Sequence, residues 1–316
     1  MYFREHTKNI FRTWIYVLAE DEEKPIMIAP IQVIRLGAEF MGIGLERAFY
    51  FIGRQGYSDY LNFIYKDFSE KAVLCIFSYL QKTYGISKCY FERLLEQTEL
   101  YRYIEKTYKI QQTECYCASL VLPHTFEEYK GLLSKSTRQN IRTAINRQNR
   151  NNLELTHEMI YDVDDEMAKT LMTIREQRLG EKRAKASAKA SWRGRLYHRF
   201  RSLLIMLFNA KHNVITECCN PWCFLVKDND RIVSYFWGMK NYYKGEYYVI
   251  LAGVDKEFAW YSPSLSHLYL FLEEQYEKED ETIKVIDFTR GGERYKEDMG
   301  ASKKSAWAVR FDFLPE

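Results

Sequence analysis

No stretch of this chain approaches the roughly 20 consecutive apolar residues that a membrane helix needs, and the opening MYFREHTKNIFRTW scatters charge where a secretion signal needs an apolar core. The expectation is a soluble, cytoplasmic protein. No G-x-S-x-G elbow occurs, and His124, His157, His198, His212 and His267 stand at no spacing from Ser or Cys that marks a hydrolase. Each of these histidines reads as a surface or packing residue. Cysteine is sparse and odd in number, at 75, 89, 115, 117, 218, 219 and 223. Without an export signal that argues for reduced thiols. Cys218, Cys219 and Cys223 with His212 come nearest to a metal set, but they lack the paired C-x-x-C spacing of a structural zinc site. Strand thiols and no metal are expected. The net charge is only +3, so a basic partner site has to come from clustering.

What the chain has is length and apolar content. Its 316 residues are 47% hydrophobic and 16% aromatic, enough for two cores or one duplicated one. TWIYVLAE and PIMIAPIQVIRL read as paired strands around the turn DEEKP, and AFYFIGR as a third strand. SEKAVLCIFSYLQKTYG has helical spacing with Ser at its start and Gly at its end, and SKCYFERL returns as a strand. The second half repeats this order: EYYVILAGVD as strand, EFAWYSP as loop, SLSHLYLFLEEQYEK as helix, TIKVIDF as strand. An α/β (α+β) unit used twice follows, with lobes expected over 1–118 and 119–316.

Between the repeats SLVLPHT reads as a strand followed by two short helices, then a longer helical stretch to about Ala210. From Arg175 to Arg201 this insertion, about 175–210, holds ten Lys or Arg against two Glu, with the low-complexity AKASAKAS inside it. Lys182 to Arg195 reads as a mobile basic loop, a solvated surface element or a contact for a polyanion. CFLVKDNDRIVSYFWGMKN reads as a β-hairpin turning at DND.

Two stretches carry the chemistry. In GVDKEFAWYSPSLSHLYLFLEEQ a strand ends at Gly253-Val254 and a helix begins near Ser264 after Pro263. The unpaired N–H groups at that start form an anion site, with Ser262 or Ser264 as N-cap; an ordinary capped helix gives the same pattern. In DFTRGGERYKEDMGA, Asp287 ends a strand, Gly291 and Gly292 permit a close bend, and Tyr295 and Lys296 open a short helix. A carboxylate there can take a proton from an attacking amine and a tyrosine can give one to a thiolate; a turn cap and a packing residue are the bland alternatives. The helix SKSTRQNIRTAINRQNR presents Arg138 and Arg142 on one face, suited to a phosphate or carboxylate or simply to water.

These segments together resemble the acetyltransferase domain of the CelD/BcsL type, within the GNAT superfamily and similar to Fem-type transferases. The resemblance runs from about Trp14 to Asp312. It implies two tandem GNAT-like lobes, each a mixed twisted sheet flanked by helices, with acetyl-CoA or another acyl-CoA in the C-terminal lobe. Donor-binding residues would be Gly253, Val254, Tyr261, Ser262, Ser264 and Leu265. Asp287, Tyr295 and Lys296 would form the catalytic set, and Arg138, Arg142 and Arg290 would bind the acceptor. The implied reaction is direct transfer to an amine or hydroxyl of a sugar or other small acceptor, in extracellular polysaccharide synthesis and in association with other biosynthetic enzymes. Two departures stand out. EFAWYSPS has no glycine where the superfamily places its pyrophosphate loop, and Tyr295 lies five residues before Gly300-Ala301 where four are usual. The alternatives are an aminoacyl-tRNA-dependent Fem-type transferase, or a catalytically silent binding subunit.

Overall fold

The computed structural model describes residues 2–9, 12–34, 48–52, 60–189, 220–241, 243–280 and 282–313. The chain forms two compact units, Met1–Tyr116 with Lys304–Glu316, and Cys117–Lys303.

In the first unit strands β1 (Tyr2–Asn9), β2 (Arg12–Asp21), β3 (Lys24–Ile34), β4 (Phe49–Phe51), β6 (Lys88–Leu95) and β13 (Ser302–Asp312) lie in that order, with β5 (Ile64–Tyr65) on β3. The β4–β6 pair is parallel and the rest antiparallel, so the sheet is mixed. Helix α1 (Glu70–Tyr84) follows the start and stop signals of its sequence. Ser69 Oγ accepts from the Ala72 N–H at 3.2 Å, and Gly85 closes the helix at φ +61°, where a side chain would be strained. Its apolar stripe buries Val73, Ile76, Phe77 and Leu80 in a core rich in stacked rings, with Phe77 on Phe313 at 4.8 Å and Phe51 on Phe91 at 4.2 Å. Strand β1 and helix α2 (Glu99–Thr107) were not expected from the sequence.

The second unit orders its strands β7 (Ile110–Val121), β12 (Val285–Arg290), β11 (Glu246–Val254), β10 (Arg231–Asn241), β9 (Pro221–Asp228) and β8 (Leu155–Ile160). β9 and β10 form the expected hairpin, with Asn229 at φ +52° in its turn. β11 and β12 are parallel and all other pairs antiparallel. Helices α3 (Phe126–Leu132), α4 (Lys135–Arg150) and α6 (Pro263–Glu277) cover one face. There Trp222, Phe224, Phe236, Phe271 and Phe288 form a second core. Tyr235 of β10 faces the other side, where its hydroxyl donates to the Leu171 carbonyl of α5 (Asp165–Lys189) at 2.8 Å.

Three expectations need correction. EFAWYSP is not a loop but a 3-10 helix over Lys256–Tyr261, started by Asp255, whose Oδ1 accepts the Glu257 N–H at 3.0 Å. The segment expected as a basic loop from Lys182 is helical as far as Lys189, where the described part of α5 ends. Strand β8 interrupts the expected run of helices and adds an outer edge to the sheet. Residues 190–219, with Arg195, Cys218, Cys219, His198 and His212, lie outside the described residues.

Candidate active site

The parallel register of β11 with β12 covers Glu246–Val285, Tyr247–Ile286 and Tyr248–Asp287, then stops. β11 continues to Val254, while β12 is distorted between Asp287 and Arg290, where its register with β7 shifts. Parallel strands that part in this way open a gap at their C-terminal ends, the place where open α/β sheets take ligands. Thr289 stands in the distortion at φ +53° and is buried. Its N–H donates to Asp287 Oδ1 at 2.7 Å, and its hydroxyl donates to the Val249 carbonyl of β11 at 2.8 Å. Asp287 is 2% exposed and lies opposite Ser119 of β7. Its carboxylate therefore holds the bend of its own strand, an Asx-type turn contact.

Beyond Arg290 the chain bends at Gly291, whose φ of +111° only glycine adopts freely. Helix α7 (Arg294–Asp298) follows. Lys296 is 2% exposed, and its ammonium is the post around which this loop is wound. Nζ donates to the Arg290 carbonyl at 2.6 Å and the Gly291 carbonyl at 3.1 Å, and pairs with Glu293 Oε2 at 3.0 Å. A buried ammonium has three donors to satisfy, and here its own loop satisfies them. Tyr295 is half-buried with its ring edge-on to Phe288, centroids 6.3 Å apart, and Arg290 is exposed.

At the end of β11, Gly253 lies opposite Tyr235, and a Cβ there would fall 2.4 Å from the tyrosine ring. Glycine is thus required by packing rather than by a phosphate. Helix α6 begins at Pro263 after Ser262 at φ +48°. Ser262 occupies the N-cap position but makes no side-chain capping bond, which corrects the expected serine cap. Pro263 has no N–H and the Ser266 N–H goes to the Ser262 carbonyl at 3.2 Å, so helix geometry leaves the Ser264 and Leu265 N–H groups without an intrahelical acceptor. Ser264 Oγ lies 2.5 Å from Ser234 Oγ of β10.

Helix α4 joins the two candidate segments. Near its start, Thr137 Oγ1 donates to Asp298 Oδ1 of α7 at 3.4 Å. At its end, Gln148 Nε2 donates to the Tyr261 carbonyl at 3.0 Å and to Ser266 Oγ at 2.9 Å. The neighbouring Arg147 donates to the Trp260 carbonyl and lays its guanidinium 3.8 Å over the exposed indole. Arg142 is exposed midway along this helix. Arg138 instead turns back to the end of α3, where Nη1 donates to the Lys130 and Leu133 carbonyls at 2.9 and 3.1 Å. It adds donors at the end of α3, where the Lys130 carbonyl also takes the Leu133 N–H at 3.2 Å.

Below the helix start, His267 of α6 and His157 of β8 face each other with Nδ1 atoms 3.2 Å apart. His157 Nε2 lies 3.3 Å from Glu274 Oε1. His267 Nε2 is buried without a partner. Burial, then the neighbouring His157, lowers the His267 pKa to about 4, and burial lowers that of His157 against the opposing pull of Glu274. Among the described residues no group of three or more His, Cys, Asp or Glu is placed to hold a metal ion. No helix among them is long and apolar enough to cross a membrane.

A parallel strand pair that parts at its C-terminal end marks a ligand gap in an open α/β sheet, and the comparisons show the family to which it belongs. Residues 135–297, more than half the chain, match the Acetyltransferase (GNAT) domain family. The chain belongs to that family and is a GNAT-type acyltransferase. It has the fold of FemX, at a TM-score of 0.56 and 12% identity, covering 98% of this chain and 88% of that one. L-PGS from Bacillus licheniformis is similar at 0.56 and 12% identity, covering 94% and 83%. A conserved protein of unknown function from Bacteroides thetaiotaomicron is similar at 0.52 and 12%, covering 95% and 86%. No curated protein matches.

Proposed function

We propose that the chain transfers an acyl group from acetyl-CoA or another acyl-CoA directly to an amine or hydroxyl of a sugar or small acceptor, in the CelD/BcsL manner and in the cytoplasm. The parting of β11 and β12 beside the start of α6 is the observation that carries this reading. Gly253, Val254, Tyr261, Ser262, Ser264 and Leu265 would take the donor, whose diphosphate the Ser264 and Leu265 N–H groups and the helix dipole suit without a glycine-rich loop. The acceptor attacks the thioester carbonyl as the C–S bond breaks. Asp287 takes the acceptor proton and Tyr295 returns one to the CoA thiolate. Lys296 belongs to this set as the residue that holds the Arg290–Glu293 loop in place. Arg142 and Arg290 hold an anionic group of the acceptor, with Arg138 fixing the helix between them. The expected lobe 119–316, without the Lys304–Glu316 segment that belongs to the first unit, acts as the catalytic lobe and 1–118 as its companion. An extracellular polysaccharide is the pathway this reading favours, with other biosynthetic enzymes as partners.

The likeness in fold to FemX supports a second reading, a Fem-type transferase that takes its acyl group from aminoacyl-tRNA and uses the basic run from Arg175 to hold the RNA. A silent subunit of a synthetic complex is the third. Calorimetric titration separates them: micromolar binding of acetyl-CoA or a longer acyl-CoA supports the first. Absence of CoA binding together with salt-sensitive tRNA binding overturns it for the second, and absence of both leaves the third.

A further inference from the structure

Among the described residues with positive φ, Thr289 is the only β-branched one. A branched Cβ crowds the left-handed region most, so the surrounding structure must hold this conformation against its own preference. The ties are visible: the Asp287 carboxylate takes the N–H, and the Val249 carbonyl across the gap takes the hydroxyl. The first comes from the last paired residue, Asp287, and the second from Val249, one step beyond Tyr248, where the strand pairing stops. Strain held by specific bonds at a ligand gap is the pattern of a functional device.

We propose that Thr289 is a positioning residue of the transfer site, a wedge that ends the β11–β12 pairing and leaves the β11 edge beyond Val249 to the donor. The hydroxyl occupies the last carbonyl that β12 reaches, and the left-handed turn steers Arg290 away from β11. An acyl-CoA has an amide-bearing arm that can add to a free strand edge as a peptide does. The proposal rests on the donor reading above.

Thr289→Val keeps the shape and removes the hydroxyl, so the valine relaxes to extended backbone and β12 pairs further along β11. Thr289→Ser keeps the bond. Deuterium exchange of the peptide covering 249–254, measured without ligand, is expected to slow several-fold in the valine variant and to stay at the wild-type rate in the serine variant. Titration with CoA is expected to show about tenfold weaker binding for valine, a change of about 1.4 kcal/mol, and wild-type binding for serine. Should the valine variant not fold, Thr289→Ala makes the same comparison. Unchanged exchange, or unchanged CoA affinity in a wild type that binds it, overturns the wedge. Slowed exchange with a wild type that binds no CoA supports the wedge and overturns the donor reading instead.

Discussion

Gln148 of α4 and Ser266 of α6 meet through a buried 2.9 Å hydrogen bond, 118 residues apart in sequence. The same amide nitrogen holds the Tyr261 carbonyl at 3.0 Å, so one side chain fixes both the 3-10 turn and the first turn of α6. Gln148→Leu keeps the bulk but strips both bonds. A buried acceptor left without its donor costs about 1–3 kcal/mol, so thermal unfolding is expected several degrees lower. Loosening at Tyr261 and Ser262 is expected to weaken CoA binding as well, read by calorimetry at a temperature where the variant is folded. Lower stability with intact CoA affinity would separate the helix clamp from the donor site.

The His157–His267 pair makes stability depend on pH. In the fold one Nδ1–H donates to the other ring's bare Nδ1, and a proton on both Nδ1 atoms breaks the bond and sets like charges 3.2 Å apart. Glu274 faces His157, with Lys278 close enough to oppose its charging, while Phe224 and Phe271 pack beside the His157 ring. Both folded pKa values lie below the ordinary 6.5, that of His267 at about 4. The unfolded chain therefore binds protons first on acidification. Stability is full above about pH 6.5, falls as pH drops towards 4, and levels below the folded values, where the protonated fold and chain bind alike. The loss from His267 approaches about 3 kcal/mol. Denaturant unfolding at pH 7 and pH 5 is expected to show this slope, and His267→Phe is expected to flatten it.

Much of the fold was legible because its elements announce themselves locally. Ser69 and Gly85 bracket α1 and DND turns the β9–β10 hairpin, whereas β12 runs past Asp287, its expected end, to Arg290. The site was half legible. Asp287, Tyr295 and the start of α6 stand in short motifs, whereas Gln148 and Ser234 have nothing around them in sequence that sets them apart, and Thr289 sits in the Asp287 motif without a residue type that marks it. Their roles arise from cross-chain contacts: Gln148 to Ser266, Ser234 to Ser264, and Thr289 to Val249. Arg138 shows the converse, since a basic helix face marks phosphate binding and carbonyl capping alike, and only the contact to Lys130 and Leu133 shows the second.

Lys296→Met removes an ammonium that holds two carbonyls and a carboxylate in one loop. Methionine fills the volume but leaves the Arg290 and Gly291 carbonyls without their donor, so about 2–4 kcal/mol of stability is expected to be lost. Activity is expected to fall mainly through disorder of the loop, with KM for the acceptor rising as Arg290 loses its place. A fall in kcat alone, with unfolding unchanged, would instead put the ammonium at the reacting group.

Tyr295→Phe isolates one oxygen. The ring stays edge-on to Phe288, so its packing is retained. CoA affinity is expected to hold, because a proton donor to the departing thiolate acts only as the C–S bond breaks. Loss of general acid catalysis lowers turnover by about 10²-fold or more, and an interaction made only in the transition state lowers kcat and kcat/KM together. Steady-state rates with acyl-CoA as the varied substrate read both. A donor such as an activated aryl thioester, whose thiolate leaves without a proton, is expected to restore much of the lost rate. Equal losses with both donors would move the role of Tyr295 from proton donation to shaping the wall of the gap.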